Sequence, residues 1–220
     1  MGIPAVALDD VSGYWTTAEA VDVLLCNRYL PKGELYAIKE MLQFLLNGQS
    51  QDGGWPMSVG SPDSSTMATG HAVAAFASSR KIFCNDDELI GRIEGAQKSA
   101  RDWLHHAQNE SGGWGVEPST EEGSESRTIA TCYALRGYFA SEQDYDTSRD
   151  IRHAVNYLVS TVNKDGGWGQ REGLSSDPSN TARVISTLLE SGQYTPNHTL
   201  IERAQSYILH SQDCWRFRVE

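Results

Sequence analysis

Basic residues are scarce. The 220-residue chain sets 18 Lys and Arg against 29 Asp and Glu, a formal net charge of −11. Nucleic-acid binders ordinarily carry a basic patch or stripe, so no nucleic-acid partner is expected. Long apolar runs are missing too. No stretch reaches the roughly 18–20 residues that a membrane-spanning helix needs, so no membrane span is expected. Met1-Gly2-Ile3-Pro4-Ala5-Val6-Ala7-Leu8-Asp9-Asp10 holds no basic residue, and its apolar run is too short for a secretory signal. Val6 stands where a myristoylation motif wants Ser or Thr. The four cysteines, Cys26, Cys84, Cys132 and Cys214, lie at least 48 residues apart. That spacing excludes a C-x-x-C site and makes reduced thiols in a cytoplasmic protein the expectation.

Glycine and tryptophan are plentiful instead. Of 20 Gly and 6 Trp, several fall into one pattern: Gly53-Gly54-Trp55, Gly112-Gly113-Trp114 and Gly166-Gly167-Trp168. Eleven residues before each Trp stands an aromatic (Phe44, Trp103, Tyr157), followed by Leu45, Leu104 and Leu158. Six before it come Gln49 and Gln108, with Val162 as the departure. A fourth copy opens with Ala204, Tyr207, Ile208 and Gln212 and then breaks into Asp213-Cys214-Trp215 without the Gly pair. The chain thus reads as one repeat domain over 1–220, in copies of roughly 16–62, 63–120, 121–177 and 178–220.

Downstream of each Trp, a Ser/Thr/Asn-rich start leads into an apolar run, as in Ser65-Thr66-Met67-Ala68, Arg127-Thr128-Ile129-Ala130 and Asn180-Thr181-Ala182. Such side chains suit a helix N-terminus because they accept its unsatisfied N–H groups. Eight helices are predicted, near 16–30, 34–49, 65–80, 86–108, 126–141, 147–163, 179–193 and 198–212. No strand pattern competes, so the chain reads as all-α. Helices after a Gly-Gly-Trp loop are rich in small apolar residues; those before it are amphipathic. Leu89, Ile93, Ala96, Ala100 and Leu104 trace one such stripe. A Gly pair turns the chain after a helix C-terminus, Trp packs against the turn, and Gln can bond the exposed backbone. The three loops with Gln49 and Gln108 therefore read as a structural clasp.

Gln49-Ser50-Gln51-Asp52-Gly53-Gly54-Trp55 and Asp165-Gly166-Gly167-Trp168-Gly169 resemble the Q-x-x-D-G-x-W repeats of squalene and hopene cyclases, a repeat type shared with protein prenyltransferase β subunits. The resemblance implies an α/α toroid of alternating inner and outer helices. A closed ring of this family uses about six hairpins, whereas four are legible here, so a partial toroid is expected. Its open edge would be covered by another subunit, a second copy or a larger parent protein. The tail Trp215-Arg216-Phe217-Arg218 and the acidic segment 109–126 are further contact candidates.

The family's chemistry is poorly represented. Class II terpene cyclases protonate their substrate with the middle acid of an Asp-x-Asp-Asp motif at an inner-helix start. Asp177-Pro178-Ser179-Asn180 fits the first position only, and Pro62-Asp63-Ser64-Ser65 fits worse. Asp177 and Asp63 therefore remain weak acid candidates, with His71 as a weak acid–base candidate on an inner helix. The zinc ligands of prenyltransferases have no match either: Ala130 stands where an Asp or His partner of Cys132 is needed. No metal and no cofactor are implied. Glu125, Tyr133 and Arg183 are candidate binding residues near inner-helix starts. No convincing carboxylate pair for carbohydrate chemistry stands out. These omissions favour a non-catalytic binding or protein-interaction module. The alternative is a terpene cyclase or prenyltransferase-like enzyme or subunit, whose inner helices line an apolar cavity for an isoprenoid ligand.

Overall fold

A computed structural model describes residues 13–26, 32–121, 123–141 and 145–216, with the side chains of 26, 32, 145–147 and 212–216 left aside. The N-terminal ten residues, Glu122, the side chains of Cys26 and Cys214, and the end of the aromatic–basic tail lie outside the described residues.

The described residues form eight helices, α1 (Tyr14–Cys26), α2 (Lys32–Asn47), α3 (Thr66–Arg80), α4 (Asp87–Ala107), α5 (Thr128–Ala140), α6 (Tyr145–Ser160), α7 (Pro178–Glu190) and α8 (Thr199–Arg216). The odd-numbered helices pack on one another in sequence, α1 on α3, α3 on α5 and α5 on α7, and each also packs on the even-numbered helix that follows it. The architecture is a partial α/α toroid with an inner and an outer layer. Its strand content is one two-residue pair, β1 (Trp55–Pro56) with β2 (Ser64–Ser65), plus isolated bridges Trp114–Arg127 and Trp168–Asp177. These three ties are equivalent: each fastens a repeat's Trp to the residues that open the next inner helix.

Composition accounts for the two layers. In α3 the run from Thr66 to Phe76 is buried throughout, because the helix has neighbours on both flanks and behind. Small residues permit that crowding. A Cβ on Gly70 would stand 2.1 Å from the Tyr133 carbonyl oxygen, so α3 and α5 approach with backbone against backbone, and Gly137 faces Gly70 from the other side. The outer helices bury one stripe; in α4 this is Leu89, Ile93, Ala96, Ala100 and Leu104. Asp86 caps α4 by accepting from the Leu89 N–H at 3.1 Å, with Asp87 and Glu88 in the favourable first turn. Trp55, Trp114 and Trp168 are fully buried between the layers.

Candidate functional site

The Gly-Gly-Trp loops share one set of backbone and indole contacts. The first Gly of each pair has positive φ (+97°, +90° and +90° at Gly53, Gly112 and Gly166), a conformation that L side chains rarely adopt. Each indole N–H donates to the carbonyl of the Leu ten residues before it: Leu45 at 2.7 Å, Leu104 at 2.8 Å, Leu158 at 2.6 Å. Each Trp backbone N–H donates to a threonine of the next inner helix, Thr69, Thr131 or Thr181. Gln49 donates to the carbonyls of Gly53 and of Ala96 in α4, both at 2.9 Å. Gln108 repeats this toward Gly112 and Asp150 of α6, again at 2.9 Å. The clasp therefore joins each of these two loops to the next outer helix.

Counting from those threonines brings three of the expected residues together. His71, Tyr133 and Arg183 each stand two residues after the threonine that receives a Trp N–H. In α3 the side bearing Thr69 and Phe76 meets Trp55. His71 points to the opposite side of the helix, away from the outer layer. There its ring lies 4.3 Å from that of Tyr133, centroid to centroid, and Arg183 places its guanidinium 4.8 Å from the Tyr133 ring centre. Trp15 of α1 closes the group, 5.9 Å from His71 and 6.2 Å from Tyr133. Beside it, Arg136 of α5 pairs with Asp22 of α1 at 2.6 Å. Trp15 and the Asp22–Arg136 pair were missed in the sequence, because their contacts are made between helices far apart along the chain.

This cluster is polar but under-satisfied. Both His71 ring nitrogens and the Trp15 indole N–H are buried without a hydrogen-bond partner. Such groups are costly to leave unpaired. Burial, with Arg136 and Arg183 nearby, pushes the His71 pKa down to about 3, so the ring is neutral near pH 7. Burial likewise raises the Tyr133 phenol. Trp15, His71 and Tyr133 thus bring together three uncharged rings, two of them with unsatisfied ring nitrogens, beside the Arg183 guanidinium, and none of the four is a carboxylic acid.

The other candidates lie elsewhere. A cavity of about 770 Å³ opens at the loop end of the inner layer, lined by Val116, Arg127, Ile129, Gln170, Asp177 and Asn180 among others. Asp177 is on its wall, but its carboxylate caps α7: it accepts from the Asn180 backbone N–H at 2.8 Å and also from the Asn180 side chain. Pro178 at the first helical position completes a helix start, so the residue's observed role is capping. Asp63 accepts from the Ser119 hydroxyl at 2.8 Å, across to the next loop. Glu125 is exposed, and its ion pair with Arg171 holds its carboxyl below the usual range. Cys132 is buried, and that burial pushes its thiol up to about 12, which makes it inert. Among the described residues no three His, Cys, Asp or Glu side chains are grouped to hold a metal ion. No described helix is long and apolar enough to cross a membrane.

The model of the prenyltransferase alpha-alpha toroid domain matches residues 10–216. The chain belongs to that family. A drimenyl diphosphate synthase of Streptomyces showdoensis is 28% identical over 190 residues, which is 84% of this chain and 32% of that protein. The chain thus spans about a third of the curated relative's length. Among solved structures, a type II terpene cyclase from Scytonema superposes with a TM-score of 0.60 at 17% identity, covering 94% of this chain and 55% of that one. A GH76 α-mannanase from Bacteroides thetaiotaomicron gives 0.63 at 12%, covering 92% and 58%. Likeness at those identities speaks to the fold alone.

These findings correct the expectation of a non-catalytic, protein-binding module. The relative aligned over most of the toroid domain is a named synthase. An incomplete acid motif means lost chemistry only where the whole active site lies on the chain that carries it. The aligned segment is about a third of that synthase's length, so the incomplete motifs at Asp177 and Asp63 do not by themselves argue against an enzyme.

Proposed function

We propose that this toroid domain serves a type II terpene cyclase-like reaction, in which its inner face holds an isoprenoid chain while a proton is added to an alkene. The observation that carries this reading is the Trp15–His71–Tyr133–Arg183 cluster on the inner helices, in a chain with a drimenyl diphosphate synthase as a curated relative. Protonating an alkene creates a carbocation. Aromatic faces attract cations by about 0.5–2 kcal/mol each, most strongly when water is excluded. The Arg183 guanidinium, 4.8 Å from the Tyr133 ring centre, covers one face of that ring, and its charge suits an anionic diphosphate rather than the carbocation. His71 is neutral, so it does not repel a developing positive charge.

In this reading Asp177 positions α7, and the proton donor is supplied by a segment beyond the described residues or by another chain. Cys84 and Cys132, both free of disulfides, support a cytosolic setting. The test is to incubate the purified chain with farnesyl diphosphate, remove the phosphates and look for cyclic alcohols by gas chromatography–mass spectrometry, alongside calorimetric binding. Binding with or without turnover supports the reading. Absence of both overturns it.

A further inference from the structure

The three loop–helix interfaces of the array share one plan, and the middle one departs from it. Each loop's own outer helix contributes the residue nine before the Trp: Leu46, His105 or Val159. The outer helix that seats the loop contributes the residue whose carbonyl receives the clasp Gln, Ala96 or Asp150. In the third interface the equivalent is Leu200, because Arg203 lies against Gly166 as His153 lies against Gly112. The inner helix adds the residue seven after its threonine: Phe76, Tyr138 or Leu188. Phe76 meets Trp55 at 5.8 Å between ring centres, and Tyr138 meets Trp114 at 5.9 Å. The first set (Leu46, Ala96, Phe76) and the third (Val159, Leu200, Leu188) are apolar and pack into the hydrophobic core. The second set is His105, Asp150 and Tyr138.

Those three side chains bond to one another. The Asp150 side chain is 1% exposed. It accepts from His105 Nδ1 at 2.7 Å and from the Tyr138 hydroxyl at 3.1 Å, and it pairs with Arg149 at 3.3 Å. A buried carboxylate satisfied in this way is roughly neutral for stability against an apolar set of similar volume, whereas removing a partner is costly. The cost therefore falls on wrong pairings. The loops themselves do not discriminate, since each offers the same Gly pair and the same indole bond. Were α6 to seat the first loop instead of the second, Asp150 would face Leu46; with the third loop of another copy it would face Val159.

We infer that the His105–Asp150–Tyr138 network is a register lock, which admits only the second loop to α6 and so prevents repeats from exchanging along the array or between copies of the chain. The inference is independent of the isoprenoid reading, and its test needs no substrate.

Two variants of the full chain test it. His105→Leu reproduces the wrong partner and should lower Tm by about 5 °C or more. The triple variant H105L/Y138F/D150A copies the first interface into the second; Arg149, 40% exposed, then turns to water. Its Tm should lie within about 2 °C of the wild type or above it. After refolding from urea, light scattering on a sizing column should nonetheless reveal a larger species beyond any that the wild type forms, with undiminished helical circular dichroism. Four results overturn the inference: a Tm loss below about 2 °C in His105→Leu, a triple variant less stable than the wild type whatever its size, a triple variant with the wild-type size distribution, or a larger species that has lost helix.

Discussion

Replacing Gln108 by Val copies into the second repeat what the third already has at Val162, and it asks whether the clasp stabilises the array. The substitution removes two hydrogen bonds of 2.9 Å, to Gly112 in the loop and Asp150 in α6. It leaves the Gly112 carbonyl, part of a buried residue, without the Gln partner. Each net hydrogen bond is worth about 0.5–1.5 kcal/mol, so the expected loss is about 1–3 kcal/mol. For a chain of this size 1 kcal/mol moves Tm by about 2–4 °C, and the melting temperature should fall by roughly 4–8 °C for a loss of about 2 kcal/mol. Urea unfolding followed by circular dichroism gives the free energy. Hydrogen exchange should accelerate first in residues 108–116, because stability in repeat arrays is carried by nearest-neighbour interfaces. A loss below about 0.5 kcal/mol, the scale of an ordinary surface substitution, would show that the clasp does not hold the repeats together.

Four other outcomes follow from the same geometry. Gly70→Ala places a methyl 2.1 Å from the Tyr133 carbonyl and should cost about 3 kcal/mol or more in urea unfolding, since backbone cannot step aside. His71 has a folded pKa of about 3 against an ordinary 6.5, so the unfolded chain binds its proton first. Its contribution to stability is therefore full above pH 6.5 and is lost as pH falls toward 3, by up to about 4 kcal/mol; His71→Leu should flatten that part of the wild-type stability-versus-pH curve, and an unchanged curve would exclude the burial argument. Tyr133→Leu removes the aromatic face, while Tyr133→Phe keeps it. Calorimetry with an ammonium analogue of farnesyl diphosphate, whose chain carries the positive charge, should show affinity falling about 3–30-fold in the first and little in the second. Cys84 is exposed and Cys132 buried with its thiol pushed up to about 12, so peptide mapping after native iodoacetamide treatment should find Cys84 alkylated and Cys132 protected.

The repeat punctuation was legible because its causes are local. A positive-φ Gly and a Trp bonded ten residues back can be read from spacing alone, and so can the alternation of small-residue and amphipathic helices. The cluster was hidden by variable loops. From Trp to its threonine partner the separations are 14, 17 and 13 residues, so no constant offset aligns His71, Tyr133 and Arg183 along the chain. Trp15 was hidden for a further reason: its contacts are made across helices. Asp177 illustrates the reverse. It matched the first position of an acid motif, yet an Asp before Pro at a helix start is also what an N-cap requires, and its observed bonds are those of a cap.

The inner-face assignment is tested most directly by photo-crosslinking. A prenyl diphosphate analogue with a diazirine on its chain is irradiated with the purified protein, and the labelled peptide is identified by mass spectrometry. Attachment is expected on the peptides bearing Trp15, His71 or Tyr133, suppressed by excess farnesyl diphosphate and by Tyr133→Leu. Attachment confined to the loop-end cavity around Asp177, or labelling that competitor does not reduce, would contradict the assignment.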